Sequence, residues 1–160
     1  MVKIIDGDLL KSGADIICHQ VNCQGVMGSG VAKQIKEKYP KAYKEYKRLC
    51  DEYTDKANLL GMAQRVFCCD DDGTIICNLF AQENYGYNGK CFTDIKALRK
   101  CLEDVHFCYN RLRQGLSGVR IAMPYKIGCV RGGANWEEVL AIIEEIFEDG
   151  EVELWRLDKG

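Results

Sequence analysis

Apolar positions along the chain follow two periodicities. Short runs rich in β-branched residues, bounded by Gly, Asp or Ser, predict buried strands, and longer segments with an apolar residue every third or fourth position predict helices. The predicted strands cover residues 2–5, 16–21, 62–69, 75–81, 120–123 and 152–157. The predicted helices cover residues 31–39, 40–53, 93–112 and 136–147. Pro40 opens the second helix, and Thr93 is placed as the N-cap of the third.

The order of these elements predicts the fold class. Strands alternate with helices, which favours a three-layer α/β/α sandwich around a central sheet. The turn at residues 70–73 joins two strands as a hairpin, so we expect the sheet to be mixed rather than wholly parallel. A chain of 160 residues suits one hydrophobic core, and we expect residues 1–160 to form a single domain.

Composition and charge argue against several classes of protein. The chain is 47% hydrophobic, without an apolar run long enough to cross a bilayer and without a secretory signal, so we expect a soluble cytoplasmic protein with no membrane partner. A formal net charge of -2 with dispersed Lys and Arg argues against sequence-specific binding to nucleic acid. Ten cysteines lie mostly inside apolar runs without zinc-ligand spacing, so we expect reduced thiols, no metal and no cofactor.

Residues 22–31, here called loop 1, form a glycine-rich turn between a predicted strand and a predicted helix. Backbone N–H groups and the helix dipole favour an anion at such a turn, and Gly28 and Gly30 would let a diphosphate approach the backbone. Taken alone, the pattern fits a simple tight turn equally well. Asn22 at its mouth either holds sugar hydroxyls or caps its own turn.

Residues 127–133, here called loop 2, form a second glycine-rich turn that follows a strand and precedes a helix. Ligands of open α/β sheets lie beyond the carboxyl ends of the strands, so loops 1 and 2 can close on one diphosphate from opposite sides. Arg131 is either a guanidinium over the phosphates or a surface charge. The surface role is favoured, because the glycines leave the loop mobile.

Three further residues follow predicted strands or lie near their ends. Asp8 either accepts hydrogen bonds from the exocyclic amine of a base or shapes a turn. Phe80 and Tyr125 are either core aromatics or walls for a ribose or a base. Each residue, taken singly, is more often structural, so the argument depends on their combination.

Three separated motifs together resemble the macrodomain family. They are Gly7-Asp8-Leu9-Leu10, the segment 19–32, and the segment 123–129 with the later Gly132-Gly133. The motifs occur in order across nearly the whole chain and agree with one series of strands and helices, which a single motif cannot offer. The branch that this chain resembles most contains the ALC-like macrodomains and the terminal ADP-ribose glycohydrolase.

The resemblance implies ADP-ribose or a derivative as the ligand and ADP-ribosylated macromolecules as partners. It implies Asp8 on the adenine amine with Leu9 beside it, and Asn22, also the candidate catalytic residue, at the distal ribose. The diphosphate would lie between loops 1 and 2. The ligand-binding residues so implied, together with the two aromatic candidates, are Asp8, Leu9, Asn22, Met27, Gly28, Ser29, Gly30, Val31, Phe80, Tyr125, Ile127, Gly128, Cys129, Val130, Arg131 and Gly132.

Two positions depart from the hydrolytic members of that branch. Those proteins use a lysine after the strand that matches residues 75–81 and an aspartate in the second glycine loop, where this chain has Gln82 and Gly132. A glutamine amide is not a nucleophilic amine and a glycine has no proton to exchange, so the lysyl-adduct mechanism is excluded here. Hydrolysis of an ADP-ribosyl ester, of a glycosidic link or of ADP-ribose 1''-phosphate by another route stays open, as does binding without turnover.

Two other functional classes are also considered. A Rossmann dehydrogenase would carry GxGxxG directly after the first strand, whereas residues 27–33 follow the second strand and lack the third glycine. A protein-interaction module would show no change in melting temperature with small molecules, whereas a binding protein is stabilised by its ligand.

Overall fold

One mixed sheet organises the part of the chain that the structure, a computed structural model, describes, namely residues 1–69, 72–86 and 90–157. Its strands are β1 (Val2–Asp6), β2 (Ile16–Asn22), β3 (Ala63–Cys68), β4 (Thr74–Gln82), β5 (Ile121–Pro124) and β6 (Val152–Arg156). They lie in the order β1-β6-β5-β2-β4-β3, and neighbours are parallel except for the antiparallel pair β3 and β4. The predicted hairpin is confirmed, although residues 70 and 71 of its turn lie outside the described residues.

Four α-helices cover the two faces of this sheet in the described ranges. They are α1 (Gly30–Lys38), α2 (Pro40–Glu52), α3 (Ile95–Gly115) and α4 (Trp136–Ile146). Leu98 of α3 and Ile143 of α4 belong to a core cluster on one face, while Ile35 of α1 and Ala42 of α2 belong to a cluster on the other. The predicted three-layer α/β/α sandwich is therefore confirmed.

Strand β2 is central and contributes to both cores. Ile16 and Cys18 pack in the α3 and α4 cluster, whereas Ile17 packs in the α1 cluster, because successive side chains of a strand point to opposite faces. β5 and β4 flank β2 on either side. β5 pairs with the first two residues of β2, and β4 pairs with β2 as far as its carboxyl end, which leads into loop 1.

The start of α3 differs from the prediction. The sequence predicts Thr93 as the N-cap, but the cap is Asp94, whose carboxylate accepts the N–H of Ala97 at 3.0 Å. A carboxylate is favoured there because it satisfies an unpaired N–H and faces the positive end of the helix dipole. The Thr93 hydroxyl instead donates to the carbonyl oxygen of Gly128 in loop 2, at 2.7 Å.

The ten cysteines are free thiols in very different environments. Cys18, Cys77 and Cys101 are buried in the core, and burial raises the pKa of Cys101 to about 12. Cys69 and Cys91 are exposed. Among the described residues, no group of three or more His, Cys, Asp or Glu side chains is arranged to hold a metal ion. The described helices include none with the length and apolar content that crossing a membrane requires.

Candidate functional site

Loops 1 and 2 line one cavity of about 310 Å³ at the carboxyl ends of β2 and β5. Gly28 to Val31 contribute from loop 1, and Ile127, Gly128 and residues 130–132 contribute from loop 2. The Nε atom of Arg131 lies 3.8 Å from the position that a Cβ on Gly30 would take, so the two loops meet across the cavity. Arg131 is exposed, and it is also part of the cavity wall.

Asn22 holds loop 1 in shape. Its Oδ1 accepts the N–H of Gln24 at 2.9 Å and the hydroxyl of Tyr46 at 2.8 Å, and its Nδ2 donates to the carbonyl of Val26 at 2.8 Å. Of the two roles expected for Asn22, the structure shows that it caps its own turn. It also lines the cavity, so a ligand would lie against a side chain that the turn already fixes.

Loop 1 ends at the N-terminus of α1. Gly30, the first residue of that helix, has a φ of 62°, a backbone conformation that side chains with a Cβ rarely adopt. The first N–H groups of any helix have no partner within the helix and lie at the positive end of its dipole. Because residues 28–32 line the cavity, these donors are available to an anion there.

A second cavity of about 380 Å³ adjoins the first. The two share the wall residues Val31, Pro124, Tyr125, Lys126 and Val130. The second is also lined by Asp8 and Leu9, which follow β1, and by Trp155 and Arg156 of β6. The structure therefore brings all three sequence motifs to one continuous cleft.

Asp8 has a structural role within this second cavity. Its Oδ1 accepts the N–H of Leu10 at 3.0 Å, which caps the short 3-10 helix Leu9–Lys11. A carboxylate has two oxygens, so Oδ2 can still accept from a ligand. Beside it, the guanidinium of Arg156 lies 5.1 Å from the centre of the Tyr125 ring and pairs with Asp6 at 2.8 Å.

Three of the implied ligand-binding residues are not brought to either cavity. Phe80 is fully buried and stacks on Tyr46 with ring centres 5.6 Å apart, because its position in β4 points it toward α2. Met27 is buried in the same core cluster. The Cys129 thiol is half-buried and contacts the carbonyl of Ile127 at 3.5 Å. Of the two roles considered for Phe80, the core role is correct.

Five wall residues of the first cavity with polar side chains were not among the ligand-binding residues expected from the sequence. They are His19, Gln20, Gln82, Tyr85 and Lys126. Three of them, His19, Gln20 and Gln82, lie at or near the carboxyl ends of β2 and β4. The alternation of apolar and polar residues that predicts a strand does not indicate which of its polar residues line a cavity. Lys126 has a φ of 63°, rare for a residue with a side chain, and such strained backbone clusters at functional sites.

His19 is a neutral polar residue in this wall. Its Nε2 lies 2.6 Å from Oδ1 of Asn78, which can only accept, so Nε2 carries the hydrogen. Burial lowers the pKa of His19 to about 4, and the hydrogen bond to Asn78 opposes this shift. The imidazole is therefore uncharged at pH 7.

The first cavity has a positive electrostatic character. Its charged wall residues are Lys126 and Arg131, and no Asp, Glu or Cys is found among the described residues that line it. With the N-terminus of α1 at the same place, the cavity is suited to an anion held by N–H donors and two cations. The described wall residues therefore offer no carboxylate as a general base.

Comparison with known families settles what kind of fold carries this cleft. Residues 18–143 match the Macro domain family. The chain belongs to this family. Its membership rules out the dehydrogenase alternative, and it agrees with the resemblance that the three motifs carry.

The macrodomain is similar to curated proteins of two activities. It is 26% identical over 177 residues to an ADP-ribose 1''-phosphate phosphatase of Saccharomyces cerevisiae, with 98% of each chain covered. It is 29% identical over 163 residues to a DNA ADP-ribosyl glycohydrolase of Thermus aquaticus, but spans 40% of that protein's length. Among solved structures, the macrodomain of Thermus aquaticus DarG has a TM-score of 0.75 at 27% identity, covering 99% of this chain and 98% of that one.

Proposed function

We propose that this macrodomain binds ADP-ribose, or a derivative that carries ADP-ribose at one end, in the cleft formed by the two cavities. The observation that carries the proposal is that loops 1 and 2 line the same cavity. There the N-terminus of α1, Lys126 and Arg131 surround a space without acidic neighbours among the described wall residues. A diphosphate is the anion that two facing donor loops fit best.

The positions of the two cavities support one orientation of the ligand. The adenine would occupy the second cavity, where Asp8 Oδ2 can accept its exocyclic amine and Leu9 offers an apolar contact. The diphosphate would lie between loops 1 and 2, with the distal ribose beside Asn22. Volumes of about 310 and 380 Å³ fall in the range of small-molecule sites, which supports a ligand that extends through both.

The reaction that we propose is hydrolysis of ADP-ribose 1''-phosphate to ADP-ribose and phosphate. The similarity to the yeast phosphatase extends over 98% of both chains, whereas the glycohydrolase is matched over 40% of its length. Gln82 and Gly132 provide neither an amine nucleophile nor an acid, which argues against a lysyl adduct. Asn22 is the candidate for orienting the distal ribose toward water.

Isothermal titration calorimetry with ADP-ribose tests the binding proposal. We expect one site per chain, and a ligand concentration one hundred times the Kd should stabilise the fold by about 2.7 kcal/mol in a thermal melt. AMP, which lacks the second phosphate and the distal ribose, should bind more weakly. A folded protein that gives neither heat nor a shift in Tm with ADP-ribose would end the proposal and favour a protein-interaction module.

A phosphate-release assay tests the reaction. ADP-ribose 1''-phosphate should yield equal amounts of ADP-ribose and inorganic phosphate, and ADP-ribosylated protein and DNA serve as rival substrates in parallel. If ADP-ribose is released only from ADP-ribosylated protein or DNA, the proposed activity is that of a glycohydrolase and not of a phosphatase. Binding without any product would identify a reader of ADP-ribose. This second candidate is favoured by the lack of a carboxylate among the described residues that line the first cavity.

The cellular setting belongs to the same proposal. We place residues 1–160 as one macrodomain that acts in the cytoplasm, where its ten thiols stay reduced, on free ADP-ribose derivatives or on ADP-ribosylated macromolecules. Fractionation of cells that express a tagged chain would check the compartment.

A further inference from the structure

Thr93 lies where the segment after β4 meets loop 2, and it is 8% exposed. Its hydroxyl donates to the carbonyl of Gly128 at 2.7 Å, and its backbone N–H donates to the carbonyl of Gly132 at 3.0 Å. The N–H of Phe92 donates to the same Gly132 oxygen at 2.7 Å. These bonds hold both sides of the turn that carries Arg131.

Gln20 on β2 sets the direction of the Thr93 hydroxyl. Its Nε2 donates to Thr93 Oγ1 at 2.8 Å and to Gln82 Oε1 at 2.7 Å, so both of its amide hydrogens are used. The Gln82 amide in turn donates to the carbonyl of Asn84 at 2.7 Å. Because the oxygen of Thr93 accepts from Gln20, its one hydrogen is left for Gly128. We call Gln20, Gln82 and Thr93 the tether of loop 2.

The tether accounts for two glycines of loop 2. A Cβ on Gly132 would lie 2.1 Å from Thr93 Oγ1, 2.5 Å from the carbonyl of Gly128 and 3.0 Å from Gln20 Nε2. A Cβ on Gly128 would lie 2.8 Å from Gln20 Oε1. Neither position can carry a side chain while the tether is in place, so the tether and the lack of an acid at residue 132 are parts of one arrangement.

We infer that Thr93 is a positioning residue for the ligand's diphosphate, an inference that rests on the proposed function. It touches no ligand in the proposed orientation. It fixes loop 2 in the conformation in which Gly128, Val130 and Arg131 line the first cavity. Without the hydroxyl, the carbonyl of Gly128 keeps only the N–H of Ala134 and the amide of Gln20 loses a partner, so ligand binding must order a loop that the fold holds less firmly.

The test compares Thr93→Val, which removes the hydroxyl at nearly constant volume, with Thr93→Ser, which keeps it. Hydrogen exchange without ligand should show faster exchange of the amides at 128–134 in the Val variant only, with β3 unchanged in both. ADP-ribose should bind about tenfold more weakly to Thr93→Val and within about twofold of wild type to Thr93→Ser. Rescue by serine separates the hydroxyl from a merely structural contact.

Two results would overturn the inference: wild-type exchange and affinity in Thr93→Val, or equal losses in both variants. If Thr93→Val does not fold, Gln20→Met removes the donor to Thr93 from the other side and should raise exchange at the same amides. Failure of the proposed function is distinguishable, because a wild-type chain that ignores ADP-ribose still gives an exchange result for the tether.

Discussion

Loops 1 and 2 face the same cavity but are held in shape by different means. The turn of loop 1 is shaped by a side chain of its own, since Asn22 bonds to Gln24 and Val26. The carbonyl of Glu83 also accepts the N–H of Cys23, and the loop continues directly into α1.

Loop 2 has local backbone bonds, such as that from Gly133 N–H to the carbonyl of Cys129. The side chain that holds it is Thr93, which comes from an earlier part of the chain and is itself bonded to Gln20. A turn that supplies its own bonds can be recognised in a sequence, whereas a remote anchor is revealed only by the fold.

The largest expected effect is a loss of stability at acidic pH, and it arises in β2. Loop 1 starts from this strand, and loop 2 is tethered to it. His19 on this strand has its pKa lowered to about 4 by burial, while an unfolded histidine titrates near 6.5. Between these values the unfolded chain binds a proton that the folded chain does not, so the free energy of unfolding falls as the pH drops. The loss should reach about 3 kcal/mol at pH 4.

Urea unfolding at several pH values from 7 to 4 checks this prediction. His19→Gln is the control, because it removes the titrating group and should flatten the pH dependence by about 3 kcal/mol over the same window. Carboxylates contribute equally to both proteins and cancel in the difference. An identical pH profile for the two would show that His19 is not the group responsible.

Gly132→Ala is expected to break loop 2 and spare loop 1. The new Cβ would meet Thr93 Oγ1 at 2.1 Å, so the loop must move away from its tether, at a cost of about 1–3 kcal/mol in unfolding free energy. ADP-ribose binding should be lost with it. Gly115→Ala at the end of α3 is the matched control, because its Cβ meets nothing within 4 Å. Equal stability of the two variants would disprove the crowding argument.

Gly30→Glu and Gly30→Gln test whether loop 1 holds the anionic part of the ligand. Both side chains carry the same strain at a φ of 62°, so their difference isolates the charge placed at the N-terminus of α1. The Glu variant should bind ADP-ribose at least about tenfold more weakly than the Gln variant, and 1 M salt should narrow the gap. Calorimetry that finds equal affinities at low salt would place the diphosphate elsewhere.

The smallest expected effect comes from removing the hydrogen bond between Tyr46 of α2 and the Asn22 side chain, which is that side chain's one bond to a described residue outside loop 1. Tyr46→Phe removes the hydroxyl that donates to Asn22 Oδ1 and lies equally close to its carbonyl oxygen. Unfolding should become easier by about 1 kcal/mol, yet ADP-ribose affinity should change by less than about threefold, because Gln24 and Val26 still fix the turn. A loss of ADP-ribose affinity as large as that expected for Thr93→Val would show that loop 1 also depends on a contact from outside.

The fold was predictable because its elements are strongly patterned. Each predicted strand and helix is present within a few residues, and the hairpin was correctly identified as the reason for a mixed sheet. The error at Thr93 has a local cause: two adjacent capping residues compete, and Asp94 takes the helix while Thr93 turns to loop 2. No local pattern separates these choices.

The walls of the candidate site were predictable where they are formed by backbone. Glycines between a strand and a helix indicate donor-rich turns, and both turns lie at the cavity. Side chains were harder, since Phe80 and Tyr125 look alike in sequence but β4 directs Phe80 into the core, while Tyr125 lies beyond the end of β5. Gln20 gave no signal, because its partners Gln82 and Thr93 come from distant segments.

The antiparallel hairpin separates the two exposed thiols of the chain. β3 and β4 place Cys69 at the edge of the sheet opposite the carboxyl end of β4, roughly 25 Å away for nine extended residues, whereas Cys91 adjoins Gly133 of loop 2. A maleimide-coated surface would couple to Cys69 when Cys91 is replaced by serine, and would hold the molecule with its cleft open to solution. In the reverse variant, which keeps Cys91 and replaces Cys69 with serine, a maleimide dye on Cys91 would lie beside loop 2 and report ligand binding in the cleft.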